Sequence, residues 1–470
     1  MKLFAKRLSA SGSVTRLIAA SGLNMALSVA IASRVWIAGA SLISLHFIIA
    51  NLSPSAQGYY FTFNSLSQLT QFVDLGLQIL MIQFASHEAV HLSFGPRGQV
   101  MGSADAISRL SSLGRFSLAW YGAGLLMLVP ALIGAGEWMF GGRADGIRWE
   151  APWLAVCFLV GLDLCATNFM WILEGTNQLV FVYTHRLVRG IVNAVALWLL
   201  LTNGFELWSI PLSLAAAICT TVLFLVIGRP KFLRLFVQRP AAAVISWRHE
   251  ILPVQWRLAI STLAGFVTYN LPVPVTFRFA GATVAGQLGL TWALVDAMTA
   301  IALLWPAVRF PTMGRAAAQR QWRELDRITV HVGVQALALT LLGAAAIVGL
   351  AFLAKALNLT LADRLLPLLP LVILAVSAVP KTIQSTLIYY LRAHRQEPIA
   401  GLTSATAPVM IGAVVAGAWL DGALGVASAY LFVMLFVWLP GTAWITWKCR
   451  RLWHQEAAPV ATVSTVVQTP

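Results

Sequence analysis

Charge is what this sequence has least of: Asp, Glu, Lys and Arg make up 10% of its 470 residues, against about 25% in an ordinary soluble domain. A water-soluble fold covers its surface with ionic side chains, and this chain has too few to do so. Acid is the scarcer sign, with 17 Asp and Glu against 32 Lys and Arg, a net charge of +15 and a pI near 10.3. The four cysteines (Cys157, Cys165, Cys219, Cys449) form no CxxC or other metal-spaced set. That argues against a disulfide framework and a sulfur-ligated metal, and they read as small buried residues. No GxxxxGK[ST], HExxH or GxSxG segment occurs, so ATP-driven transport by this chain and hydrolysis have no motif behind them. The expectation is a non-enzyme without cofactor or metal.

Apolar residues are what the chain has in excess, 59% of it, with a mean hydropathy of +0.78. Lipid is then the main solvent. At ~20 apolar residues per crossing, the length holds about a dozen transmembrane helices. Apolar segments fall near 26–52, 58–85, 112–134, 151–173, 179–202 and 207–228, and again near 258–280, 285–310, 328–354, 365–391, 398–420 and 423–447. Most links are short and carry Gly, Pro, Asn or Ser, as in Asn51-Leu52-Ser53-Pro54. The stretch 229–257 is long, basic and partly amphipathic, the pattern of an interfacial connector. The expected architecture is an all-α polytopic membrane protein with a six-helix bundle over 1–228, the connector 229–257, a second six-helix bundle over 258–447, and a cytoplasmic tail, 448–470.

The basic residues test this topology. With the N-terminus inside, 25 of the 32 Lys and Arg fall in cytoplasmic segments and four outside (Arg143, Arg148, Lys355, Arg364); Arg34, Arg278 and Lys381 fall within or at the ends of spans. That bias is the positive-inside signature, with both termini cytoplasmic. It also explains the high pI better than nucleic-acid binding, which calls for one basic patch. No short apolar core with a cleavage site follows the basic start MKLFAKRLSASGSVTR, so an uncleaved end is expected. The run 17–33 lies at the interface or extends the first helix, because a further crossing there would invert every later loop. The halves are weakly alike: Ala56 and Gly58 open one span, Ala285 and Gly286 another, and Arg34 and Arg257 sit near the start of each half. A repeat of six crossings relates the halves by an axis along the membrane normal.

The stretch IIANLSPSAQGYYFTFNSLSQLTQFVDLGLQILMIQFASHE, with its Leu-Ser-Pro turn and the Asp-Leu-Gly-Leu of Asp74 to Leu77, resembles the opening helix pair of bacterial polysaccharide-biosynthesis (O-antigen type) flippases. These belong to the multidrug/oligosaccharidyl-lipid/polysaccharide (MOP) exporter superfamily. LEGTNQLVFVYTHRL (173–187) and the region from Gln255 through Gly314 extend the resemblance. It implies a MOP/MATE-like pair of bundles in the bacterial inner membrane opening alternately to either side. It also implies transfer of a polyprenyl-pyrophosphate-linked oligosaccharide from the cytoplasmic to the outer leaflet. The partners it implies are that glycan, membrane lipid and a coupling H⁺ or Na⁺.

Charges at membrane depth are the informative residues, since each costs at least ~2.5–3.5 kcal/mol at a helix centre. Lys381 either lines a cavity and attracts pyrophosphate or pairs internally with an acid such as Asp296. Arg186 and Arg189, three apart, share a helix face and either reach a cavity or snorkel to the headgroups. Arg34 and Arg257 are snorkelling candidates whose matched placement also suits phosphate, which a guanidinium fork binds bidentately. Arg278 is interfacial or assists release. Asp74, Asp163 and Asp296 are the acids within spans, candidates for H⁺ or Na⁺ coupling or for ion pairs with those cations. For Asp74 the motif favours a structural role beside Gly76. His46 and Glu174 are weaker candidates. Two further functions stay open: a MATE-like small-molecule antiporter, which the cations disfavour, and a membrane glycosyltransferase or polymerase, which the short outer loop near 135–150 disfavours.

Overall fold

The computed structural model describes residues 25–143, 145–237, 244–394 and 398–455. The basic start, the run 17–24 and the tail beyond 455 lie outside the described residues, as do the side chains of Arg257 and Ser261. The first half runs α1 (Met25–Asn51), α2 (Pro54–Ser67), α3 (Gln71–Asp74), α4 (Leu77–Ala89), a hairpin of β1 (Leu92–Phe94) and β2 (Val100–Gly102), α5 (Ala104–Phe140), α6 (Glu150–Gly175), α7 (Leu179–Thr202) and α8 (Ser209–Gly228). A short α9 (Pro230–Leu235) leads to the second half: α10 (Leu252–Asn270), α11 (Pro272–Ala280), α12 (Ala282–Ala302), α13 (Leu304–Ala318), α14 (Trp322–Ala356), α15 (Thr360–Arg364), α16 (Leu368–Ala393), α17 (Ala400–Val433) and α18 (Leu439–Gln455).

Local chemistry explains the breaks. In the Leu-Ser-Pro turn, Ser53 caps α2 by accepting the Ala56 N–H at 3.1 Å, with Pro54 in the first turn, where its missing N–H costs nothing. The Asp-Leu-Gly-Leu motif is the bend between α3 and α4. Gly76 takes φ 76° there, and the Asp74 carboxylate accepts the Gln78 N–H at 3.2 Å at the start of α4. The seventh crossing is interrupted at Leu271, ahead of Pro272 and Pro274. The third, α5, spans 37 residues, starting earlier than its apolar run because Ser103 caps the amphipathic turns from Ala104.

Ten continuous helices are long and apolar enough to cross a membrane, and the bent pair Pro54–Asp74 and Leu77–Ala89 makes an eleventh. One of the ten, Ala400–His454, has 55 residues, about 80 Å if straight, far beyond a ~30 Å hydrocarbon core. Its backbone leaves the helix at Asp421 (φ −147°) and Gly422 (φ 51°). A Cβ added to Gly425 would stand 2.0 Å from the Gly417 carbonyl oxygen, although residues eight apart along a straight helix are about 12 Å apart. The chain therefore doubles back at 421–422. Counting its two arms separately, the described residues hold twelve segments long and apolar enough to cross.

The apolar core is divided unevenly. At the end carrying Leu52, Phe140, Phe277, Leu366 and Val426, a single hydrophobic cluster runs through both halves. Toward the other end the clusters separate. One centres on the first half around Met81, Leu113, Tyr121 and Phe232, with Ile251 of the connector in it and Leu258 of α10 against it; the other lies within the second half around Met313, Leu325, Tyr390 and Leu391. The halves are sealed together at one end and hold separate cores at the other. A further contact joins them through α3 and α10, where Phe72 meets Phe266 edge to face at 5.2 Å.

Candidate functional site: the seal and the membrane-depth ion pairs

The sealed end is built from small residues and rings. Helix α2 lies along α12, and a Cβ on Gly58 would sit 1.9 Å from the Ala282 carbonyl oxygen, so only glycine permits this approach. Gln57, buried, donates across the halves to the Gly286 carbonyl at 2.8 Å, and Ser55 Oγ lies 3.4 Å from Thr283 Oγ1. Phe277, fully buried, enters a ring cage from the first half, with Tyr59 at 4.9 Å and Phe140 at 5.1 Å between centroids. Arg143 caps it, its guanidinium 4.7 Å from the ring and donating to the Phe277 carbonyl at 2.7 Å.

Inside the first half, Arg186, Arg189, Asn193 and Leu197 fall on one face of α7. Arg189 donates to both Asp163 oxygens at 2.8 Å, and Arg186 donates to the Glu174 carboxylate. Asp163, Asn193 and Leu197 line a cavity of about 260 Å³ that Asn64 of α2, Gln68 just beyond its end and Ser213 of α8 complete. The two arginines thus share a face as their spacing requires, and each holds an acid from α6. Arg186 is the more accessible partner, its side chain 37% exposed against 14% for Glu174.

The second half holds one matching pair. Lys381 on α16 donates to Asp296 on α12 at 2.6 Å and lies 5.0 Å from the Tyr269 ring centroid. Here the polarity is reversed: Lys381 is 15% exposed and Asp296 45%. Pairing brings each charge near neutrality in a medium that penalises lone ions.

The remaining candidates are dispersed. Arg34 is exposed on α1, and Arg278 is exposed with its guanidinium 5.5 Å from the Trp138 ring. Asp74 accepts the Tyr121 hydroxyl at 2.7 Å as well as the Gln78 N–H. His46 is exposed. The sequence reading missed Asn64, Gln68 and Asn193, whose only signal was amide side chains within apolar runs. It also missed the bridge in which Arg109 holds Glu88 at 2.7 Å and Glu250 at 2.8 Å, fastening the connector to the first half.

No family model and no curated protein matches the sequence. Solved structures do match in three dimensions. An inward-facing multidrug resistance MATE family transporter of the MOP superfamily aligns with TM-score 0.68 at 13% identity, over 92% of this chain and 99% of that one. The outward-facing conformation of such a transporter aligns with TM-score 0.52 at 13% identity, over 92% and 96%. The lipid II flippase MurJ in an inward closed conformation gives 0.58 at 13% identity, over 91% and 89%. The chain has the all-α polytopic fold of MOP-superfamily transporters.

Proposed function

We propose that this chain is a transporter working by alternating access, and that its cargo is a polyprenyl-pyrophosphate-linked oligosaccharide flipped from the cytoplasmic to the outer leaflet of a bacterial inner membrane. The observation that carries the reading is the uneven core, continuous through both halves at one end and separate at the other. The higher similarity to the inward-facing neighbour supports assigning the sealed end to the outer side, in line with the cytoplasmic bias of Lys and Arg. In this reading Arg186, the exposed member of its pair, exchanges Glu174 for a substrate phosphate, with Arg189 one turn on. The pyrophosphate is held there while sugars cross a hydrated interior and the prenyl tail stays in lipid.

Coupling runs through an ion gradient, with Asp163 and Asp296 as the acids exchanging partners. Transport into vesicles that persists with gradients and potential collapsed overturns this part. The cargo is tested by replacing Arg186 with Arg189, or Lys381, by Ala in an export-complementation assay. Lost export at normal protein levels is expected, and undiminished export removes those residues from the site.

A second reading, a small-molecule antiporter, has its own observation: in the Lys381 pair the acid is the exposed partner, which suits a cationic solute. Resistance of a drug-sensitive strain carrying this chain, lost in Asp296→Asn, would favour it over the flippase.

A further inference from the structure

Helix α18 contains no Asp or Glu over Leu439–Gln455, and its two faces differ. One face packs inward, with Thr442 and Thr446 buried and Cys449 and Trp453 against the Tyr390–Leu391 cluster. The other carries Trp444, Trp447, Lys448 and Arg451 at i, i+3, i+4 and i+7, all exposed. On a helix that spacing is one continuous stripe. Lys448 Nζ lies 5.4 Å from the Trp444 ring centroid, and the Arg451 guanidinium lies 3.8 Å from that of Trp447. Each cation thus sits one turn beyond an indole, toward the end of the helix that leaves the bilayer. Arg450 points elsewhere, bound to Asp326 at 2.6 Å. Lys448 and Arg451 have no ion pair among the described residues.

We propose that this stripe is a binding site for the headgroup of an anionic phospholipid. The phosphodiester sits between the Lys448 ammonium and the Arg451 guanidinium, and the glycerol and upper acyl chains lie against Trp444 and Trp447. Indoles settle at the glycerol level of a bilayer, where their apolar body and N–H are both satisfied. Stacking on Trp447 holds the Arg451 fork in place before the ligand arrives. An anionic rather than zwitterionic lipid is selected because two unpaired cations repel a choline ammonium and no acid on the helix receives it. Lipid rather than free phosphate is selected because half of the stripe is aromatic and offers its surface to glycerol and acyl chain, which inorganic phosphate lacks. The site lies on the lipid-facing surface of the second half, at the end opposite the seal, and the proposal holds whatever cargo the interior carries.

The test is native mass spectrometry of the purified full chain from mixed micelles of phosphatidylglycerol and phosphatidylcholine. The chain should retain phosphatidylglycerol preferentially. The double variant Lys448→Gln with Arg451→Gln should retain it about tenfold or more less, since each interfacial cation contributes roughly fivefold. Arg323→Gln with Arg327→Gln, which removes the same charge from α14, should change nothing. Millimolar inorganic phosphate should leave the bound lipid in place. Arg451→Lys keeps the charge and loses the stacked fork, giving a partial fall that is readable even where the double variant folds poorly. Equal retention of both lipids by the unaltered chain, wild-type retention by the double variant, or displacement by inorganic phosphate overturns the proposal.

Discussion

Replacing Phe277 with Ala should unseal the joined end of the molecule. The ring is fully buried, and its neighbours Tyr59 (4.9 Å), Phe140 (5.1 Å) and the Arg143 guanidinium (4.7 Å) all belong to the other half. A buried Phe→Ala change costs about 3–5 kcal/mol, and each aromatic pair adds about 0.5–1.5 kcal/mol beyond area. Only the contacts that cross the halves bear on opening, so the sealed form loses about 2 kcal/mol relative to the open one. That is a shift of roughly 30-fold. If the sealed form begins about tenfold favoured, its population falls from about nine-tenths to about one-quarter. The assay is oxidative cross-linking of Ser55→Cys with Thr283→Cys, whose native hydroxyls stand 3.4 Å apart, in a background without the four native cysteines. Cross-linking should slow about fourfold in Phe277→Ala and by less in Phe277→Leu. Wild-type cross-linking by a Phe277→Ala variant with a normal melting curve would refute the claim that this ring holds the halves together.

Gly58→Ala places its new Cβ against the Ala282 carbonyl, an atom of backbone that cannot rotate aside, so it should slow the same cross-link and lower the melting temperature. Asp163→Asn or Arg189→Gln alone strands a charge, and each should destabilise the purified protein by up to about 3 kcal/mol. The double variant should melt closer to wild type than either, because the stranded ion is what costs most. His394 stacks against Trp322 and Trp453, and burial pulls its pKa below the ordinary value. Its neutral form is favoured in the fold, so its contribution is complete above about pH 6.5 and is lost as pH falls toward the lowered value. Melting between pH 7.5 and pH 5.5 should therefore depend less on pH in His394→Gln. A difference is expected even with Asp326 on the Tyr390 hydroxyl and His454 stacked on Trp322.

Much of the fold was legible because a bilayer imposes a one-dimensional rule: apolar runs of crossing length, broken by turn residues, must become helices. The Leu-Ser-Pro turn and the Asp-Leu-Gly-Leu bend could be read because their chemistry is local, a cap and a glycine. The lower limit of α5 could not, since its first turns are polar and helical only through a cap and packing. The interruption at Leu271 was masked because Pro272 and Pro274 sit inside a run that reads as one span. The Ala-Gly similarity between Ala56–Gly58 and Ala285–Gly286 looked like a trace of duplication. In the structure these segments also touch, which sequence separation gave no means of knowing.

From the sequence alone came the solvent, the all-α polytopic class and the charged residues that fall within apolar runs, because each follows from composition along the chain. Tertiary structure decided which acid each cation holds, which partner of each pair is exposed, and at which end the halves are joined. Those outcomes depend on distances between residues tens to hundreds of positions apart, such as Arg189 with Asp163, Lys381 with Asp296, and Phe277 among the rings of the other half. An ion's partner in lipid is set by which helices pack side by side, and packing is a property of the folded bundle.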